Sequence, residues 1–156
     1  MKTITRLCIL ACFVLTGCTT ITPETVNIVR AAIPEGMGRI IVYRKPQFVG
    51  SGVFPNLFVD RNDKGALTNA SVIAIDTNPG EHVLAVKGGL LTYGFSDVTM
   101  IAKAEQGKSI YLEYALILAR TTGASSVWEY GFRAVDPAIG QIEVDDLIHR
   151  VSPQKS

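Results

Sequence analysis

From residue 38 onward the chain breaks into short runs of β-branched and aromatic residues separated by Gly, Pro, Asn and Asp, the texture of closely spaced strands. Residues 39–44 form the first run and 45–52 a loop; 56–60 form the second, and 61–65 are dense enough in turn formers to read as a turn. Residues 71–76 and 82–87 follow, joined through Asn78, Pro79 and Gly80. Proline presets φ at the second place of a type II turn and glycine tolerates the positive φ of the third, so this pair is expected to close a hairpin. A loose connection over 88–94 leads to the alternating residues 97–103, and Glu105, Gln106, Gly107 and Lys108 turn the chain again. In the next strand Ile110, Leu112, Tyr114, Leu116 and Leu118 share one face while Tyr111, Glu113 and Ala115 share the other, which predicts burial on one side. Residues 128–135 supply the last strand, with Trp128 expected in the core.

Helical spacing is confined to the flanks. Thr22, Pro23 and Glu24 make a helix start, with Val26, Val29 and Ile33 at helical intervals and Pro34, Glu35 and Gly36 as a stop, so residues 18–37 are a spacer holding either a short helix or a plain tether. As a flexible coil that spacer would span about 25 Å. After the strands, Asp136 caps a short helix or turn from Pro137 towards His149, with Ile139, Ile142 and Leu147 as its apolar contacts. About seven strands over residues 38–135 fit an all-β, mainly antiparallel, immunoglobulin-like sandwich, one domain with a C-terminal extension over 136–156.

The first 17 residues have a different character: a basic start with Lys2 and Arg6, the apolar run 7–15, and small residues before Cys18. The run is shorter than the roughly 20 apolar residues of a membrane span. Leu15, Thr16, Gly17 and Cys18 together resemble the lipobox of bacterial lipoproteins. The resemblance implies a signal peptide over residues 1–17, cleavage between Gly17 and Cys18, and acyl chains on the Cys18 sulfur that fix the protein to a membrane. Two or more chains make such anchorage stable, at about 0.8 kcal/mol per buried methylene. Thr19, where an aspartate would signal inner-membrane retention, implies the periplasmic face of the outer membrane.

Loss of that leader changes the composition in two ways. Removing Lys2 and Arg6 takes the formal net charge from +1 to −1, which gives no basic footprint for nucleic acid. Cys8 and Cys12 leave with it and Cys18 is acylated, so the exported domain is expected to have no disulfide and no free thiol.

Three stretches carry a further likeness. Residues 38–44 (Gly-Arg-Ile-Ile-Val-Tyr-Arg), the segment from Val59 and Asp60 to Thr68 and Asn69, and residues 79–84 (Pro-Gly-Glu-His-Val-Leu) resemble, in order and spacing, the bacterial lipoproteins that share the domain of unknown function DUF2846. The resemblance covers residues 36–135 and implies a prealbumin-like sandwich with no established activity. The Gly88–Phe95 connection and the 121–126 insert depart from that pattern.

Candidate chemistry is sparse. Asp60 to Gly65 begins like a calcium loop, but Lys64 and Ser71 stand where an EF-hand needs Asp or Asn at its fifth place and a bidentate glutamate at its twelfth, so a tight turn is expected and no metal. His82 and His149 lie in separate elements, too few for zinc, and His82 after Pro79 and Gly80 is expected to make a structural hydrogen bond. Glu143, Asp145 and Asp146 read as a solvated face. No serine lies in a nucleophile elbow and no glycine loop fits a phosphate, so neither an enzyme nor a cofactor is expected. Apolar residues on two loops, Phe48, Val49 and Phe54 on one and Leu91, Tyr93 and Phe95 on the other, are the candidate contacts for another envelope protein or a cell-wall polymer. A carrier holding a small apolar ligand or lipid between the sheets is the alternative.

Overall fold

The structure, a computed structural model, describes residues 21–48, 51–87, 97–122 and 125–151, the side chains of 118–128 and 151 excepted. Residues 1–17, read above as a leader, together with Cys18, Val49, Leu91, Tyr93, Phe95 and the packing of Trp128, lie outside that description. Helix α1 (Pro23–Arg30) precedes eight strands: β1 (Gly38–Arg44), β2 (Asn56–Val59), β3 (Asn62–Ala66), β4 (Ser71–Thr77), β5 (Gly80–Lys87), β6 (Val98–Ala104), β7 (Ser109–Thr122) and β8 (Ser125–Val135). Helix α2 (Pro137–Val151) closes the described chain. The strands form two four-stranded sheets, β4-β1-β7-β8 and β3-β2-β5-β6, antiparallel throughout except where β1 runs parallel to β7. The fold is an all-β sandwich with a helical layer on one side.

That layer follows from β1. Its alternating side chains are apolar on both faces, and every one of its residues is buried. Ile40 and Val42 join Leu57, Val59, Leu84, Val86 and Leu112 between the sheets. Ile41 and Tyr43 point the other way, into a second core with Val72, Tyr111, Ile21 and Val29 and with Val144, Leu147 and Ile148 of α2. The expectation of one buried face for β7 is corrected on the same ground: Tyr111, Glu113 and Ala115 are buried as well as Leu112 and Tyr114.

Helix α2 buries Leu147 as expected but not the two isoleucines. Asp136 does cap it, its carboxylate accepting from Ala138 N at 2.9 Å, but Ile139 and Ile142 are 53% and 69% exposed. Gly140, Val144, Leu147 and Ile148, at helical spacing, make the buried stripe. Each large residue of that stripe contributes about 1.5–3 kcal/mol, which outweighs the roughly 1 kcal/mol that a glycine costs inside a helix. Gly140 is needed there because its backbone lies against the Tyr111 ring.

Two turn assignments also change. Residues 62–66 are not a turn but the edge strand β3, paired with β2 across a two-residue loop of Asp60 and Arg61. Both carry positive φ, 49° and 69°, the signature of the tight hairpin turn whose twist matches that of the strands. Pro79 and Gly80 do not close a hairpin, because β4 pairs with β1 while β5 pairs with β2 and β6 in the opposite sheet. Gly80, with φ 144°, is already the first residue of β5. The stretch around 121–126 belongs to the β7–β8 ladder, which runs on until Thr122 faces Ser125.

Residues 21–31 are packed as part of the domain rather than left as a plain tether. Thr22 caps α1, its hydroxyl accepting from Thr25 N at 3.1 Å, and Ile21 is only 2% exposed. At the other end Arg39, buried in β1, donates to the Ala31 carbonyl at 2.8 Å and grips Asp76 of β4 through Nε and Nη2 at 2.7 and 3.1 Å. One guanidinium thereby ties the helix to two strands.

A Cβ at position 140 would come within 2.4 Å of the Tyr111 ring. Gly140→Ala, although it raises helix propensity, is therefore expected to lower stability by about 1–3 kcal/mol, read as a reduced urea midpoint. Arg39→Ala strands Asp76 and the helix carbonyls, at a cost of about 3 kcal/mol. Hydrogen exchange should show residues 23–31 losing protection while β2 and β5 keep theirs.

Candidate functional site

The arrangement closest to a catalytic constellation centres on His82. Its Nδ1 lies 2.6 Å from Asp60 Oδ2, and its Nε2 lies 2.9 Å from the Asn78 carbonyl and 3.2 Å from Thr77 Oγ1. Acid, imidazole and hydroxyl thus stand in the order of a hydrolytic triad. The Asn78 carbonyl decides against that reading, because it can only accept and so holds the Nε2 proton that a general base must lack. The Asp60 carboxylate beside Nδ1, helped by that carbonyl, raises the His82 pKa above 6.5 against the opposing effect of burial. Asp60 is lowered correspondingly, by the bond to His82 and by the bond its carboxylate accepts from Val83 N.

The structural work of this cluster is specific. Asp60 and Arg61 sit in a left-handed conformation that non-glycine residues adopt at a cost of about 1 kcal/mol each. Bonds from His82 and Val83 hold that turn onto β5. The same imidazole fastens the crossover between sheets by donating to Asn78. The expected structural hydrogen bond of His82 is present, and it joins the turn to the crossover rather than closing a hairpin.

A second polar cluster lies between the outer face of β1 and α2. Lys45 Nζ reaches Glu143 at 2.5 Å and Glu113 at 3.6 Å, Tyr43 donates its hydroxyl to Glu143, and Arg133 pairs with Glu113 across the β7–β8 ladder. Burial would raise the Glu143 carboxyl, but the bonds from Lys45 and Tyr43 outweigh it and keep the group below its ordinary range. Burial, reinforced by Glu143, pushes the Tyr43 hydroxyl far up. Each carboxylate has a cation, so the cluster clamps the helix layer in place. Glu143, expected on a solvated face, belongs to this clamp, and Asp145 accepts from Gln141 Nε2 at 3.0 Å. Asp146 pairs with Arg150 beside a groove of about 310 Å³ next to Lys45.

A larger groove, of about 580 Å³, lies where α1 meets the open sides of both sheets. Thr22, Thr25 and Ile28 form one wall, Val72 to Asp76 of β4 the floor, and Lys64, Gly65 and Ala66 of β3 the other wall. Among the described strands β4 and β3 are terminal in their sheets, each paired on one side only. Their outer sides face no further described strand, although the Asp63 carboxylate already takes Gly65 N, and Lys64 stands on the rim. Nothing in the hydrophobic pattern announced this site, because it depends on how the edges of two sheets come together.

The candidate loop residues are distributed unevenly. Phe48 is 97% exposed and Phe54 49%, so the first loop does present apolar groups to solvent. The bond from Gln47 N to Asn69 Oδ1, 2.8 Å, ties it to the turn before β4, and Arg44 donates to the Val53 carbonyl at 2.7 Å. Asp63, read within the calcium-like stretch, instead accepts from Asn56 Nδ2 across the hairpin and from Gly65 N on its own strand.

Comparison with models of known protein families finds no match for this chain, and comparisons with characterised proteins and with solved structures find none either. The likeness to the DUF2846 lipoproteins accordingly stands on its three short stretches, and function has to be argued from the residues.

The linkage of His82 has a definite sign. A histidine whose folded pKa is raised stabilises fully below its unfolded value of 6.5 and loses that contribution as pH rises through the folded pKa, whereas a lowered Asp60 stabilises above 3.8 and loses it as pH falls. The Tm difference between wild type and His82→Gln should be largest between these two values and shrink towards pH 9. A difference independent of pH would show that the pair is not charged.

Proposed function

We propose that this protein is a lipid-anchored interaction module of the bacterial cell envelope that works by contact, without catalysis of its own, on another envelope protein or a cell-wall polymer. The observation that carries this reading is the groove beside α1. Its floor and one wall are strand edges with no further described strand beside them, the kind of surface to which an extended segment of a partner adds as a further strand. A protein partner suits that chemistry better than a polymer. The two best-built polar clusters support the absence of catalysis, since His82 holds a turn and Glu113 and Glu143 hold a helix. Anchorage rests on the lipobox-like residues ending at Cys18, and outer-membrane placement on Thr19. The carrier alternative gains no support from the inter-sheet space, which Ile40, Val42, Leu57, Leu84 and Leu112 fill at 0–2% exposure.

A photo-crosslinking residue at Lys64, in intact cells, should give a protein adduct of one defined mass. The same residue at Thr99, on the opposite edge of the second sheet, should give none. Cys18→Ala is expected to release the protein from the membrane fraction and abolish the adduct. Adducts at Thr99 alone would move the site, and co-purified lipid in native mass spectrometry would favour the carrier.

A further inference from the structure

The groove beside α1 is two-sided in its chemistry, and, given its reading as a strand-docking site, the two sides define the segment that fits it. Side chains of β4 alternate across the sheet. Val72 and Ala74 turn to the helix-side core and are buried, whereas Ile73 and Ile75 turn between the sheets and are buried only in part. The cause lies across the groove, where β3 offers Asn62 to Ala66, all exposed and without a large apolar side chain to lay over the isoleucines. Among the described residues, the inter-sheet core is left without apolar cover along this edge.

Charge follows the same division. Lys64 stands on the β3 wall and Glu24 on the α1 wall, both exposed, and neither is in an ion pair among the described residues. Asp76, at the end of the floor, is by contrast already held by Arg39. A strand laid beside β4 alternates in step with it. Every second side chain would turn between the sheets, onto Ile73 and Ile75 and towards Lys64, and those in between would turn towards Glu24, Thr25 and Ile28 of α1. The floor, residues 72–76, has room for about five residues of such a strand, roughly 17 Å.

We propose that the groove takes an extended segment of a protein partner whose two faces differ. The face towards β3 carries apolar side chains for Ile73 and Ile75 and a carboxylate for Lys64, and the face towards α1 carries a cation for Glu24. The opposite charges on the two walls also select which face of the segment turns to which wall, because the reversed seating sets like charges against each other on both sides.

Charge reversal combined with crosslinking tests this in intact cells. A photo-crosslinking residue at Ala66, on the β3 wall, is introduced alone and together with Lys64→Glu or Glu24→Lys, and the crosslinked partner peptide is sequenced by mass spectrometry. That peptide should hold apolar residues and an acidic one at alternate positions, with a basic residue between them. Each reversal should cut the adduct about fivefold, and reversing the matching charge on the partner segment should restore it. Lys103→Glu, on β6 at the opposite edge of the second sheet, should leave the yield unchanged. All three substituted positions are exposed, so each variant should keep the wild-type Tm. An adduct insensitive to both reversals, or a crosslinked peptide without that alternation, overturns the inference and leaves strand docking in place. A glycan adduct, or none at either Ala66 or Lys64, removes the docking site itself.

Discussion

Sheet β4-β1-β7-β8 carries apolar side chains on both of its faces, and a sheet of that kind cannot stop at two layers. Ile40 and Val42 are satisfied by the opposing sheet, but Ile41, Tyr43, Val72 and Tyr111 need a cover of their own. The flanking helices supply it, and so the segments that look peripheral in the sequence become part of the fold. Arg39 then locks the cover down, since a guanidinium inside the protein must find acceptors and finds them in Asp76 and the end of α1.

Much of this architecture was legible in the amino-acid pattern. The strands over residues 39–44, 56–60, 71–76, 82–87 and 97–103 lie within a residue or two of those observed, because β-branched runs between turn formers mark strands wherever they occur. Partner choice was not legible. Pro79 and Gly80 have the chemistry of a tight turn, yet their neighbours belong to different sheets, and only long-range pairing reveals that. The exposed polar strand β3 was equally hidden, since an edge strand facing water on both sides has no apolar alternation to read. For α2, Ile139 and Ile142 were the more hydrophobic choice, but close approach at Gly140 turned the smaller residue inward.

The polar residues repeat that lesson at the level of the site. Asp60, Thr77 and His82 are separated in sequence and meet only because the β2–β3 turn folds back on the sheet crossover. Glu113 and Arg133 meet through ladder register. His82 could be picked out from sequence as structural, whereas its partners could not. The groove depends on two sheet edges and a helix converging, and no single segment encodes it.

The way α1 is fastened has a mechanical meaning. A pull on the N-terminus enters the domain at Ile21 and loads eight residues of helix and the Arg39 contacts before it reaches any strand ladder. Peeling those eight residues would free about 28 Å of extended chain while the sandwich stays intact. The helix can therefore yield as a sacrificial link, sparing the load-resistant sheets behind it.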